Sequence, residues 1–245
     1  LMNQLYSFGP LAMISLCTSS ANPLYAARRD LYIDSMSLAK EIAAALVEDK
    51  KVGICSAFPV LGTVPAELTQ VENLYGVESD GTKAEIQNLL PLGFSITYRK
   101  NRPFHHTLHL VPKTVVLGIG CKRGTEAESI RALIRETLEQ NQIFKESICL
   151  IASIDLKKDE EGIRICAEEL GVPFATWSAE ELEQVRSEDG FTESAFVRSV
   201  AGVGNVCERS ALKGAGTSRL LIRKTAHNGV TVAAAVKDYT VCMED

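Results

Sequence analysis

The chain has no CxxC pair, no surplus of basic residues and a single Trp among its 245 residues. Each absence removes a class of protein. The seven cysteines, Cys17, Cys55, Cys121, Cys149, Cys166, Cys207 and Cys242, are odd in number and widely spaced. That pattern argues for reduced thiols in a cytoplasmic protein, and against a zinc ribbon or a disulfide framework. The longest early apolar run, Leu11 to Cys17, is far shorter than the roughly 20 residues a membrane helix needs, and it lacks the basic flank of a signal peptide. Lys and Arg total 26 against 31 Asp and Glu. The resulting net charge of -5 excludes the broad basic surface of a nucleic-acid binder.

What is present is the composition of a globular protein, with 46% hydrophobic and 23% charged residues, in a length that allows one or two domains. The chain opens at Leu1 rather than Met and enters a strand-like run almost at once, so a fragment missing upstream sequence is expected.

The first half reads as strand, helix, strand. Leu11 to Cys17 is a buried-strand candidate. Leu38, Ile42 and Leu46 recur at four-residue spacing behind the caps Asp34 and Ser35, and Lys51 to Ser56 returns to a strand. Pro59, Gly62 and Pro65 punctuate a loop, and Val71 to Leu90 is weakly patterned. Gly93 to Tyr98 and Thr107 to Val111 are short strands, and a boundary near Pro112 divides the chain into 1–112 and 113–245. Beyond it strands and helices alternate: strand Thr114 to Ile119, helix Thr125 to Gln140, strand Ser147 to Ala152, helix Lys158 to Leu170. Extended Val172 to Trp177 and helical Ala179 to Val185 follow. Helix Val203 to Lys213 stops at Gly214-Ala215-Gly216. Arg219 to Lys224 and Val230 to Val236 then flank Asn228-Gly229, a strong hairpin signal. The expected fold is α/β: a mixed sheet covered by helices in the second domain, preceded by a smaller α/β region.

Three segments could carry chemistry. Gly118-Ile119-Gly120-Cys121-Lys122-Arg123-Gly124-Thr125 follows a strand and opens a helix, and Thr125 with Glu128 predicts a capping box. Glycines there present N–H groups to an anion at a positive helix end. The spacing is neither GxGxxG nor a P-loop. On spacing alone a structural turn and a ligand loop stay equally open. Ala152 to Glu160 places Ser153, Asp155, Lys157 and Lys158 directly after a buried strand, where open α/β sheets hold ligands. Position alone favours a helix cap at Asp155 and solvated lysines. In Gly204-Asn205-Val206-Cys207-Glu208 an acid sits among small and apolar residues, ahead of Lys224 on the hairpin; each alone is ordinarily solvent-facing.

Two further features are weighed against chemistry. His105, His106 and His109 form an HHxxH run, in which His105 and His109 share a strand face and His106 points away. With no fourth ligand nearby, a structural or exposed cluster is preferred and no metal site is expected. Cys121 at a helix start could be an activated thiol, but a small residue in a tight turn explains it as well.

GIGCKRGT at 118–125, ASIDLKKDE at 152–160, GNVCERSAL at 204–212 and Lys224 ahead of TVAAA at 231–235 together resemble the CbiG family, the cobalt-precorrin-5A hydrolases of cobalamin biosynthesis, and the shorter CobE proteins. Four segments agree in sequence and order across the family's carboxy-terminal domain. The stretch from Asn22 to Leu68, with YAARRDLYIDSMSLAKEIAAALVEDKKVGICSAFP inside it, resembles the family's central region, and TLHLVPK at 107–113 the bridge between them. Of the family's amino-terminal domain only a last strand, Leu11 to Cys17, is recognised. The polar run that usually follows is replaced by Ser15 to Ser19, so catalytic residues of that domain would lie outside this chain.

The resemblance implies a hydrolase that opens the δ-lactone of a ring-contracted cobalt tetrapyrrole and expels acetaldehyde. The alternative is a tetrapyrrole-binding or carrier protein of the same pathway, without catalysis. It implies substrate binding by Gly118, Gly120, Cys121, Lys122, Arg123, Gly124, Thr125, Ser153, Lys157 and Lys224, the cations pairing with the substrate's carboxylates beside Lys158 and Arg223. N–H groups of the Gly120 to Thr125 turn would stabilise an oxyanion, and Asp155 or Glu208 would act as the base. Cobalt arrives with the substrate, so no cofactor of the protein's own is implied. The expected partners are the cobalt-corrinoid intermediate and, as an option, a second copy of the chain, in the cytoplasm, with neither nucleic acid nor membrane.

Overall fold

The computed structural model describes residues 14–17, 31–71 and 90–243. Two compact units emerge, residues 1–112 with 239–245, and residues 113–238. Most of the weakly patterned stretch 71–90, and residues 22–30 of the region resembling the family's centre, lie outside the described residues.

In the first unit β1 (Ile14–Cys17) and β2 (Leu31–Ile33) precede α1 (Met36–Val47). Then come β3 (Val52–Ser56), β4 (Val60–Leu61), β5 (Leu68–Gln70), β6 (Leu92–Ile96) and β7 (His106–Pro112). The five-stranded sheet has the order β2-β7-β6-β3-β5, parallel except for β2. Of the two expected caps, Ser35 performs the task, its Oγ accepting from Leu38 N at 3.2 Å. Ala39, Ile42, Ala45 and Leu46 of α1 are buried, the spacing of a helix with one face on a core.

The second unit runs β8 (Val115–Cys121), α2 (Ala127–Gln140), β9 (Ile148–Ile154), α3 (Glu161–Leu170), β10 (Phe174–Trp177) and α4 (Ala179–Glu183). It continues with α5 (Ala195–Ala201), α6 (Cys207–Ala215), β11 (Leu220–His227) and β12 (Val230–Val236). The sheet order is β10-β9-β8-β12-β11. Its first three strands are mutually parallel, and β12 and β11 are antiparallel to their neighbours. The sheet is thus mixed, and the reason is local: Asn228 and Gly229 both take positive φ, 49° and 80°, which turns β11 straight back into β12.

Val115 to Ile119 are all buried, so helices cover both faces of β8. On one face α6 packs against β8, β9 and β12, closing a core of Val116, Leu150, Ala152, Ala211, Leu212, Ala215 and Ala235. Gly118 permits that approach, since a Cβ there would overlap the carbonyl oxygen of Cys207. On the other face α2 and α3 pack together, with Ile130, Leu133, Ile134 and Leu138 of α2 buried at helical spacing.

The sequence predicts no element between Val185 and Val203, yet α5 forms there, capped by Ser194, whose Oγ accepts from Val197 N. The expected second domain runs to residue 245. Residues 239–245 instead group with the first unit, because β13 (Thr240–Met243) pairs antiparallel with β1 and parallel with β4.

Candidate functional site

The parallel strands of the second unit end together, and their carboxyl ends carry the polar loops. Cys121, the last residue of β8, is half-buried, while Lys122, Arg123 and Gly124 beyond it are exposed. Lys122 N donates to the Gly229 carbonyl at 3.2 Å, which holds the hairpin tip beside this loop. The expected capping box of Thr125 with Glu128 does not form. Thr125 Oγ1 donates to the Lys122 carbonyl at 2.7 Å, Glu128 pairs with Arg131, and α2 starts at Ala127 without a side-chain cap.

An anion does sit in the glycine-rich turn, and it is the protein's own. Gly124 N donates to Glu160 Oε1 at 2.6 Å, and Lys157 Nζ donates to Glu160 Oε2 at 2.8 Å. Burial alone would raise the Glu160 carboxyl, but the Lys157 ammonium and the N–H groups of Gly124 and Thr125 outweigh it and hold it below the ordinary range. Gly162 lets the chain close this way, because a Cβ there would overlap the Thr125 carbonyl oxygen. The N–H groups of Lys122, Gly124 and Thr125 are therefore committed within the fold, and so is the Lys157 ammonium. Burial pushes the Cys121 thiol up despite Lys157, which argues against an activated nucleophile there.

Near the end of β9, Ser153 is buried and its Oγ donates to the Ile119 carbonyl at 2.6 Å, cross-linking β9 to β8. Asp155 stands in a 3₁₀ turn, exposed, with Oδ1 accepting from Thr176 Oγ1 of β10 at 2.6 Å. Lys158 beside it is exposed. Cap of the following helix is Glu160, not Asp155.

Glu208 lies in the first turn of α6 and is 0% exposed. Its Oε2 accepts from Thr192 N at 3.0 Å and Asn205 Nδ2 at 2.6 Å, and its Oε1 from Lys224 N at 2.9 Å. The register of β11 against β12 shifts between Ile222 and Thr225, and such a bulge leaves a strand N–H without its ladder partner. Glu208 takes the one at Lys224. The carboxylate thereby ties α6, β11 and the segment before α5 together. Lys224 itself is half-buried.

Two neighbours of Glu208 carry structure that a residue-by-residue reading misses. Buried Asn205 accepts from Glu208 N at 2.9 Å while its amide donates to the Thr192 carbonyl at 3.0 Å. Buried Arg209 donates to the carbonyls of Leu182 and Glu183 and to Glu193 Oε1, and its guanidinium stacks 4.0 Å from the Phe191 ring centre. The only signal for either in the sequence is polar residues embedded in a small and apolar run. Gly120 and Val206 sit close at this end, a Cβ on Gly120 lying 3.9 Å from that of Val206.

The three histidines of the HHxxH run belong to the first unit. His105 precedes β7 and is exposed, so it does not share a strand face with His109. His106 lies 3.5 Å from Glu41. His109 is buried: Nδ1 meets Asp34 Oδ2 at 2.6 Å, Nε2 meets the Asn101 carbonyl, and its backbone N donates to Asp34 Oδ1 at 2.9 Å. All three border a cleft of about 360 Å³. Among the described residues no group of three or more His, Cys, Asp or Glu is placed to hold a metal ion. No described helix is long and apolar enough to cross a membrane.

Comparison with known proteins connects both units to one pathway. The family model for the cobalamin synthesis G C-terminus matches residues 115–235, and that for the cobalamin biosynthesis central region matches 23–112. The chain is 33% identical over 128 residues to the cobalt-precorrin-5A hydrolase of Priestia megaterium, covering 52% of this chain and 33% of that protein. It is 38% identical over 127 residues to the cobalt-precorrin-5A hydrolase of Salmonella typhimurium, covering 52% and 35%. Protein CobE of Sinorhizobium sp is 35% identical over 108 residues, covering 44% of this chain and 70% of that protein. The matches thus span about a third of the length of the two hydrolases.

Proposed function

The chain belongs to the cobalamin-synthesis G family, and on that footing we propose that its second unit binds a ring-contracted cobalt tetrapyrrole and hydrolyses the lactone of cobalt-precorrin-5A, with loss of acetaldehyde. The observation that carries this reading is the pairing of an exposed, anchored carboxylate with exposed cations at one edge of the sheet. Asp155 is fixed by Thr176 at the end of β9, with Lys158 beside it and Lys122 and Arg123 on the adjoining loop. A polyanionic substrate meets local positive charge there on a chain whose net charge is -5.

Asp155 is the base. It takes a proton from the water that attacks the lactone carbonyl and returns it to the alkoxide that leaves as the ring opens. It then takes the proton of that alcohol as the carbon–carbon bond breaks, so that acetaldehyde departs and the bonding electron pair, and finally the proton, pass to the macrocycle carbon. Glu208, with both oxygens engaged by the protein's own donors, holds α6 and the bulge of β11 in place, so that Lys224 is presented from a fixed backbone. The glycine-rich turn acts through its side chains rather than as an oxyanion hole, because Glu160 occupies its N–H groups. Cobalt enters with the substrate. A cytoplasmic setting accords with the free state of the six described cysteines, Cys55, Cys121, Cys149, Cys166, Cys207 and Cys242.

A coupled aldehyde assay on cobalt-precorrin-5A tests the reading. Release of acetaldehyde that disappears in Asp155→Asn supports it. Pigment binding with no aldehyde from the parent chain would leave a tetrapyrrole-binding protein instead.

A further inference from the structure

We propose that Leu156, Phe196 and Val200 form an apolar shelf on which the ring face of the tetrapyrrole lies, with its carboxylate arms reaching Lys122, Arg123 and Lys158. The inference rests on the pigment-binding reading above and names the surface that reading leaves open. Among the described residues of the second unit, the large apolar side chains left exposed are these three, Leu156 at 61%, Phe196 at 75% and Val200 at 65%. Single exposed hydrophobes are ordinary, but a gathering of all of them at one place is not.

The fold brings them to one edge. The inner flank of α5, Val197 and Ala201, packs on a core of Ile154, Leu182, Val203 and Val206, together with Trp177 and Ala179. Ile154 and Trp177 are the last residues of β9 and β10. The helix is therefore pinned at the carboxyl ends of the parallel strands. Phe196 and Val200, four residues apart, share its outer face. Leu156 lies two residues beyond Ile154, in the same 3₁₀ turn as Asp155.

Charge selects the occupant. Across the same edge, the β9 loop grips the β8 loop through Glu160 and Gly124, which places Lys158 beside Lys122 and Arg123. These three cations are exposed, and none forms an ion pair with another described residue. A flat molecule with an apolar face and an anionic rim satisfies both features at once.

The test titrates cobyrinic acid, a cobalt corrinoid with its carboxylate arms free, into the full chain at two ionic strengths. Trp177, the one Trp of the sequence, packs against the α5 core and reports binding by quenching. Phe196→Ser with Val200→Ser should weaken binding about tenfold or more, the loss typical of truncated aromatic anchors, and leave its salt dependence unchanged. Leu156→Ser, on a separate segment, should weaken it in the same sense even if the α5 variant unfolds locally. Arg123→Ala with Lys158→Ala should weaken binding and flatten its salt dependence. Parental affinity in both apolar variants alongside weakened charge variants would overturn the shelf and leave the functional reading standing. A parent that binds no corrinoid would remove both. A dimer that becomes a monomer in Phe196→Ser with Val200→Ser, seen by light scattering, would make the shelf a contact between copies and overturn the proposal.

Discussion

Glu208 offers the sharpest separation of a structural from a chemical role. In Glu208→Ala the backbone N–H groups of Lys224 and Thr192 and one N–H of the buried Asn205 amide lose their acceptor, at about 1 to 3 kcal/mol for each orphaned buried donor. Thr192 is itself exposed, so water can replace part of its loss and a total near the lower end, roughly 3 to 5 kcal/mol, is expected. Domain stabilities are about 5 to 15 kcal/mol, so this is a large share. At about 3 to 4 °C per kcal/mol for a unit of this size, the melting midpoint should fall by roughly 9 to 20 °C. Glu208→Gln retains one accepting oxygen but turns an NH₂ group towards one of the N–H donors, so it too should melt lower, by a smaller margin. Far-UV circular dichroism melts run beside the aldehyde assay decide the matter. The reasoning fails if Glu208→Gln melts with the parent while acetaldehyde release drops a hundredfold or more, because the carboxylate would then be acting on substrate.

Asp155→Asn should lower acetaldehyde release by about 10² to 10⁴ while leaving corrinoid affinity nearly unchanged, as loss of a general base does; equal rates in variant and parent would remove Asp155 from the chemistry. Glu160 has a folded pKa below its ordinary 4.5, so the stability it contributes is present above that pH and is lost as pH falls through the lowered value. The gap in melting midpoint between parent and Glu160→Gln should therefore be widest at neutral pH and close on acidification, and a gap constant down to pH 3 would contradict the assignment. Gly118→Ala should cost several times more stability than Gly124→Ala. The first drives a methyl into the Cys207 carbonyl, while the second meets nothing within 4 Å and bears only the strain of a φ of 71°, about 1 kcal/mol. Similar melts for the two would mean α6 shifts freely over β8.

Most of the fold is legible because it is local. The alternation of the second unit, the cap at Ser35 and the Asn228-Gly229 hairpin all depend on neighbours within a few residues, and the structure places these elements within a few residues of the expected bounds. What escapes is set by partners far along the chain. Residues 240–243 carry no signal that their strand pairs with β1 and β4 rather than with the nearby β12. α5 escapes for another reason: Phe196 and Val200 are exposed, so the apolar spacing that marks a buried helix face points the wrong way.

The glycine-rich turn shows why site chemistry is harder to read than site location. Its sequence specifies a cluster of N–H groups able to hold an anion, and the chain does hold one. Which anion depends on Glu160, 36 residues after Gly124, whose reach back is permitted by the missing side chain at Gly162. Thr125 follows from the same contact: once the N–H groups of Gly124 and Thr125, just ahead of α2, have a buried carboxylate, Glu128 has no Thr125 N–H left to accept from, and the threonine hydroxyl turns to the Lys122 carbonyl. The loop that looks most like a ligand cradle is thereby a clamp between β8 and β9. By holding the two loops together, the clamp brings the segment carrying Lys122 and Arg123 up to the one carrying Asp155 and Lys158.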